Sequence, residues 1–384
     1  METIYLDHNA TTPMHPQVIE VMAQAQKQGL ANPASQHQPG QRARRMLDDA
    51  REEIAGMLGA RLSGPQADRL IFTSGGTESN NLAVLGIARA RQPVGPGRLM
   101  ISAVEHASVI GPAEALLDAG WRLDLAGVDS NGVIDRPRFR ELLAPQTVVV
   151  SVILGNHDTG VLQPIAELAA SCNALGIPLH TDAVQVMGKL PVDFRALGVA
   201  ALSGAAHKFR GPLGIGLLLL RHDVTLEPLL YGGSQQGGVR PGTESVPLVL
   251  GMLTALRMWR EQSQQHLARM EQLQQRFEAG VRTGCPAAVV HAASVPRLPN
   301  TSNIAFPGVD GQILLLALDM AGVACSVGSA CSSGSSELSP TLRAMGLPRE
   351  LVASSLRFSL GAVTTEADVD EAVRRFVHVC RELG

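Results

Sequence analysis

The apolar positions of this chain follow two rhythms. From about residue 69, short apolar runs alternate with stretches whose apolar residues recur every three or four positions. The runs at 69–73, 98–104, 122–127, 147–153, 177–181, 199–203 and 214–220 predict strands, and the spacing between several of them predicts helices near 78–91, 107–119, 135–144 and 165–175. This alternation predicts an α/β fold whose mainly parallel seven-stranded sheet has helices on both faces. Ahead of it, Met46, Leu47, Ala50, Ile54, Met57 and Leu58 share one face of a helix over 41–58. Tyr5 to Pro13 reads as a short strand entering a polar turn, and 32–37 as a polar loop.

After residue 246 one long helical stretch keeps a three-or-four spacing through Leu256, Trp259, Leu267, Met270, Leu273, Phe277 and Val281. It predicts passage from a large domain, 16–258, into a smaller α+β domain formed by 259–384 with 1–15. The segments 298–303 and 322–339 are expected to be loops of that smaller domain.

Composition narrows the class. A chain of 384 residues, 45% of them hydrophobic, is long enough for one large core and a smaller one. The formal net charge is -3 with mixed signs, so neither a nucleic-acid face nor a polybasic membrane patch is expected. No apolar run approaches the roughly 18–20 residues of a membrane span, and the opening residues lack a signal-peptide pattern. Five cysteines, without CxxC pairs, fit a reducing cytosol rather than a disulfide framework or a metal site.

Ligands of such sheets bind beyond the carboxyl ends of the strands. The run at 69–73 is followed by Gly75-Gly-Thr-Glu-Ser79 and a helical pattern, which is an anion cup with Thr77 and Ser79 hydroxyls or an ordinary capped turn. It is neither a dinucleotide nor a P-loop fingerprint. His106 follows the second run, as a stacking or proton-shuttling imidazole or as a helix cap. Asn156 lies in a polar cluster after the fourth. Asp182 ends the fifth run, suited to pairing with a protonated pyridine nitrogen or to capping a helix; Gln185 follows three residues later. Lys208 lies in Ser203-Gly-Ala-Ala-His-Lys208, between two apolar runs, where burial favours the neutral amine that a Schiff base needs. Each residue alone has a bland reading. Their succession at consecutive strand ends describes a pyridoxal 5'-phosphate site.

On Tyr5–Pro13, Thr73–Ser79, Asp182–Gln185, His207-Lys208, Gly328–Ser332 and Ser355–Gly361, the chain resembles the cysteine desulfurases of the class V aminotransferase superfamily, nearly end to end. That resemblance implies the type I fold of enzymes that use pyridoxal phosphate, and a homodimer. It implies that Lys208 carries the cofactor, that His106 stacks on its ring and helps in proton transfer, and that Asp182 pairs with the ring nitrogen. Asn156 and Gln185 would reach the ring hydroxyl. Gly76, Thr77 and His207 would hold the phosphate, with Thr243 reaching the partner subunit's phosphate. Ala10, Asn32 and Arg357 would surround the carboxylate of L-cysteine. Cys331 would take the sulfur as a persulfide and hand it to an acceptor such as an iron–sulfur scaffold.

Two of these agree with the residues read alone. Arg357 sits in an apolar strand pattern, where a guanidinium calls for a planar anion. Cys331 sits in a Gly/Ser-rich loop that offers little to bury a thiol. The chain also departs from the family pattern. Asn156-His-Asp158 stands for Asn-Asn-Glu, Ala205-Ala206 for Ser-Gly, Arg210 for Tyr or His, and Leu213 for Lys. Rival expectations are a selenocysteine lyase or other β-lyase using the same lysine, and a non-catalytic relative that carries sulfur or binds desulfurase partners.

Overall fold

The computed structural model describes residues 3–328 and 338–383. A short strand β1 (Ile4–Tyr5) is followed by helices α1 (Pro16–Lys27) and α2 (Gln38–Met57). Then come β2 (Arg69–Thr73), α3 (Gly76–Arg91), β3 (Arg98–Ser102), α4 (Ala107–Asp118), β4 (Arg122–Ala126), α5 (Arg136–Leu142) and β5 (Thr147–Ser151). The alternation continues with α6 (Ile165–Asn173), β6 (Leu179–Asp182), α7 (Phe194–Leu197), β7 (Ala201–Ala205) and β8 (Gly216–Leu220).

Strands β2 to β8 form one seven-stranded sheet in the order β2-β8-β7-β6-β5-β3-β4. Only β8 runs antiparallel, to both β2 and β7. The seven predicted strands are these seven, to within a few residues at their ends. Their inner positions are apolar because each strand is covered twice. Ile71, Leu99, Val149 and Leu218 face α3 and α4 on one side, while Phe72, Met100, Val150 and Leu217 face α2, α6 and α8 (Val246–Gly284) on the other.

Helix α8 joins two cores. Val249, Met252 and Leu256 pack in the large one, and Met270, Leu273, Phe277 and Val281 in the small one. The smaller unit adds β9 (Val289–Val290), β10 (Thr301–Ala305), α9 (Gly311–Met320), β11 (Val323–Ala324), α10 (Pro340–Ala344), α11 (Arg349–Ala353), β12 (Ser355–Ser359) and α12 (Glu366–Leu383). Its sheet is antiparallel in the order β12-β10-β9, and β1 pairs with β11 beside it.

Two expected loops need correction. Residues 301–303 lie in β10, a fully buried strand, and 323–324 form β11. Strand β10 hides its polarity by bonding it. Thr301 Oγ1 accepts from Asn9 Nδ2, Ser302 Oγ donates to Glu278, and Asn303 Nδ2 donates to Asp158. Among the described residues no helix is long and apolar enough to cross a membrane.

Candidate active site

Lys208 sits on a one-turn helix, Ala206–Phe209, linking β7 to β8. Small residues are required where β7 leads into it. A side chain at Gly204 would place its Cβ 2.1 Å from Met187 Sδ, and Ala205 and Ala206 have no exposed surface. The Lys208 amine donates to the main-chain oxygens of Asn9 (2.5 Å) and Ala10 (2.7 Å). Thus Ala10 meets the site through its backbone.

Asn9 is the hub of this end of the molecule. Its carbonyl also accepts from Gln185 Nε2 (2.9 Å), and its Oδ1 accepts from Lys189 Nζ (2.8 Å) and Asn300 Nδ2 (3.2 Å). Lys189 donates as well to Gln185 Oε1 (2.8 Å). Burial first, then the charges of Lys208 and Arg357, hold the Lys189 amine well below the ordinary lysine range. Neither Asn9 nor Lys189 was singled out from the sequence. Asn9 is one polar residue in a polar turn, and Lys189's signal was a lysine four residues beyond Gln185 in a stretch that is otherwise apolar.

Asp182 ends β6 with 4% exposure. Its Oδ1 accepts from Val184 N (2.8 Å) and its Oδ2 from Asn80 Nδ2 (2.7 Å). Asn80 Nδ2 also donates to Ser108 Oγ (2.8 Å), which lies 2.8 Å from His106 Nδ1. Since the Ser108 hydroxyl already accepts from Asn80, its proton is free for His106 Nδ1, which also accepts from Ser108 N at 3.1 Å. Two donors at Nδ1 place the neutral ring's proton on Nε2. A single hydrogen-bonded chain therefore links the strand-end carboxylate to the imidazole that caps α4.

The Gly75–Gly76 turn opens α3 at the carboxyl end of β2. A Cβ on Gly76 would lie 2.8 Å from Val184 Cγ2, and one on Gly216 would lie 2.5 Å from the Gly75 carbonyl carbon. The floor of the cup thus excludes side chains and leaves first-turn amides open to an anion. Thr77 is exposed there. Ser79 is not part of the cup: its hydroxyl is buried against Thr73 Oγ1 (2.7 Å) and Gly75 O (3.1 Å). His207 lies 3.1 Å through Nδ1 from Thr11 Oγ1, and burial with the charges of Lys208 and Lys189 lowers its pKa to about 4. It is a neutral donor.

Arg357, 2% exposed on β12, donates to Asp7 Oδ1 (2.7 Å), His157 O (3.1 Å) and Gly328 O (2.6 Å). Its planar anionic partner is therefore in part a protein carboxylate. The buried Nε–H has no partner among the described residues and can serve one more acceptor. His157 packs edge-on to His106, ring centres 5.2 Å apart. Burial, reinforced by His106, Arg357 and Lys208, holds it neutral. Asp158 is buried with Asn303 and Ser339 as donors, and desolvation raises its pKa. Asn156 is occupied: its Oδ1 accepts from Asp158 N and from Thr159, and its Nδ2 donates to Val104 O and Thr341.

Asn32 and Thr243 are not brought to this cluster. Both line a separate cavity of about 270 Å³ with Arg44, Arg51 and Gln235. Cys331 lies outside the described residues. What is assembled at the strand ends is an anion cup, a buried carboxylate, an imidazole and a primary amine, with the Arg357 guanidinium of β12 opposite. That donor set fits pyridoxal phosphate.

The comparisons agree with this reading. The family model for aminotransferase class-V matches residues 4–372, and the chain belongs to that family. Within it, the chain is 41% identical over 375 residues to the IscS-like cysteine desulfurase of Mycobacterium tuberculosis, covering 96% of this chain and 94% of that one. It is 39% identical to cysteine desulfurase IscS of Dictyoglomus turgidum, covering 99% and 96%. A solved NifS-like protein from Rickettsia africae superposes with TM-score 0.88 at 30% identity, over 98% of this chain and 99% of that one.

Proposed function

We propose that the protein is a cysteine desulfurase that uses pyridoxal phosphate, converting L-cysteine to L-alanine and moving the sulfur to Cys331 as a persulfide. The observation that carries this is the meeting of Lys208, Asp182 and His106 at the carboxyl ends of the sheet, with Arg357 across from them. Gly76 and Thr77 amides, with His207, would hold the phosphate. Asp182 would face the ring nitrogen, His106 the ring face, and Gln185 the ring hydroxyl, while Asn156, already fully bonded, would shape the loop beside it. When bound, the cofactor supplies an electron sink for the bonding pair released at the substrate's α-carbon.

The residues do the rest. Lys208 holds the cofactor and then moves the proton at the α-carbon. Arg357 fixes the substrate carboxylate through its free Nε–H, with Ala10 alongside. His106, with its proton on Nε2, is a donor toward the reacting centre. The Cys331 thiolate attacks the substrate sulfur: an S–S bond forms, the Cβ–S bond breaks, and the carbon takes a proton to give alanine. An acceptor protein, such as an iron–sulfur scaffold or a thiolation carrier, would then remove the sulfur. Asn32 and Thr243 would complete a partner subunit's site in a homodimer in the cytoplasm.

The test uses two variants of the full chain with added cofactor. Cys331→Ala should keep the visible cofactor absorbance and its response to cysteine, yet form no alanine. Lys208→Ala should lose the lysine-bound absorbance. Alanine and sulfide at the parent rate from Cys331→Ala would remove the nucleophile assignment.

A further inference from the structure

We propose that the chain carries a second ligand site, separate from the one above: a cavity behind the Lys208 turn that binds a small organic anion with a compact apolar body. The cavity measures about 130 Å³ and lies between the Lys208 turn, α8 and the segments at 299–300 and 360–362. Of the residues placed in the candidate active site, it shares chiefly Lys208 and Lys189.

Its polar lining is one-sided. Nitrogens of His8, His15, Lys189, Arg210 and His266 line it beside Lys208, and no carboxylate among the described residues does. The Arg210 guanidinium forms no ion pair or hydrogen bond with any described residue; only its backbone is bonded, to Thr12 Oγ1 (2.8 Å) and His15 N (3.0 Å). Its Nε is buried without a partner among the described residues, and so is Trp259 Nε1 in the same wall. Arg210 is half-buried, but a buried Nε–H left without an acceptor is costly unless a ligand meets it. The backbone at Arg210 is left-handed (φ 66), a conformation that side chains other than Asn, Asp or Gly seldom adopt. Arg210 is also one of the positions where the chain departs from the pattern of its relatives, and the reaction gives it no task. His15 Nδ1 accepts from Gln17 N, so the neutral ring's proton is on Nε2 as a further donor.

The remaining wall is apolar: Ala255, Met258, Leu267, Met270 and Leu360. A cavity of roughly 150 Å³ holds one benzene ring. An aromatic or branched monocarboxylate therefore matches the volume, the apolar wall and the partnerless Arg210 Nε–H together. A zwitterionic amino acid does not, because nothing there would pair its ammonium. An anion in this place would also favour the charged form of Lys189, whose amine is lowered by burial and by the charge of Lys208, and this couples the cavity to the amine of the active site.

Isothermal titration of the full chain with benzoate, benzyl alcohol and benzylamine tests this, with and without pyridoxal phosphate. Benzoate should bind once per chain with a dissociation constant on the order of 1 mM, and benzylamine should not bind. Arg210→Asn, which keeps the left-handed backbone, should weaken benzoate about tenfold. Gln262→Glu, which sets a carboxylate at the exposed rim, should weaken it as well, whereas Arg357→Lys should leave it unchanged. Equal binding of benzyl alcohol, loss of binding in Arg357→Lys but not Arg210→Asn, or no heat up to about 10 mM benzoate would each overturn the proposal.

Discussion

Two positions carry arguments at the scale of single residues. Ala205, wholly buried, stands where the sequence resemblance leads one to expect a serine, and an added Cβ on Gly76 would lie 3.6 Å from its methyl. A hydroxyl there would face the phosphate cup, and a hydrogen bond to a charged acceptor contributes about 1.5–3 kcal/mol. Ala205→Ser should therefore tighten cofactor retention about tenfold or more, read from dialysis against apo-enzyme; unchanged retention would mean the cup does not hold the phosphate. Asn9 is the second. Its side chain holds Lys189, Asn300 and Thr301 at once. Asn9→Ala leaves the Lys189 amine and the Thr301 hydroxyl each one partner short, at a cost of about 1–3 kcal/mol. The thermal midpoint should fall, and it should fall less in the Lys189→Met background, where one of the orphaned donors is gone. A serial polar turn such as Asp7-His-Asn-Ala-Thr gives no sign of which member is the hub, because that depends on Asn300 and Thr301 arriving from almost three hundred residues away.

Among the elements, α8 and α12 meet through glycine. A Cβ on Gly284 would lie 2.0 Å from Val377 Cγ2, and one on Gly280 would lie 2.8 Å from Val373 Cγ1. On an open helix face Gly→Ala stabilises by about 1 kcal/mol. Here the sign should reverse: Gly284→Ala should cost about 1–3 kcal/mol, and Val377→Ala in the same chain should recover most of it. Urea midpoints of the four members of the cycle decide it, and a stabilised single variant would show that the helices stand further apart. The elements also show what the sequence pattern could and could not carry. The strands of the large sheet were legible because both faces are covered, so Thr147–Ser151 and Gly216–Leu220 are apolar runs bounded by turns. Strand β10 was not, since Thr301-Ser-Asn is buried through hydrogen bonds to Asn9, Glu278 and Asp158 rather than through apolar surface. Polarity by itself reads as loop. In the same way Lys208, Asp182 and His106 were legible because each follows an apolar run, whereas Asn32, also taken for the site, lines a separate cavity with Thr243, which was expected to reach a partner subunit's phosphate.

At the scale of the whole molecule, buried imidazoles set the response to acid. His180 lies within the sheet, Nδ1 and Nε2 each 2.9 Å from a hydroxyl, of Ser151 and Ser203 respectively, and burial lowers its pKa to about 3. Burial likewise lowers His8, His207 and His291 to about 4, and His157 well below its ordinary value. Folded-state values lie below the unfolded value of about 6.5, so below that pH the unfolded chain takes up protons that the folded chain refuses. Stability then falls as pH falls, by about 1.4 kcal/mol per pH unit for a fully buried group such as His180. Glu105 has the opposite slope. Burial pushes its carboxyl up to about 8, so from about pH 4.3 upward the folded chain keeps a proton that the unfolded chain loses, and stability declines with rising pH. Asp158 and Glu244, also raised by burial, lean the same way as Glu105, but the lowered imidazoles outnumber these carboxyls, so the acid limb prevails below about 6.5. Above it, Lys189 offsets Glu105, because its lowered amine makes stability rise with pH until the unfolded lysine titrates. The thermal midpoint, measured at fixed cofactor occupancy, should be nearly level from about pH 7 to 8 and fall steeply from about 6.5 to 5. His180→Asn removes one of these imidazoles and should make the acid limb shallower even if it lowers the midpoint throughout. An acid limb of the same slope in that variant, or a level profile down to about pH 5 in the parent, would mean that these rings charge without unfolding the sheet that buries them.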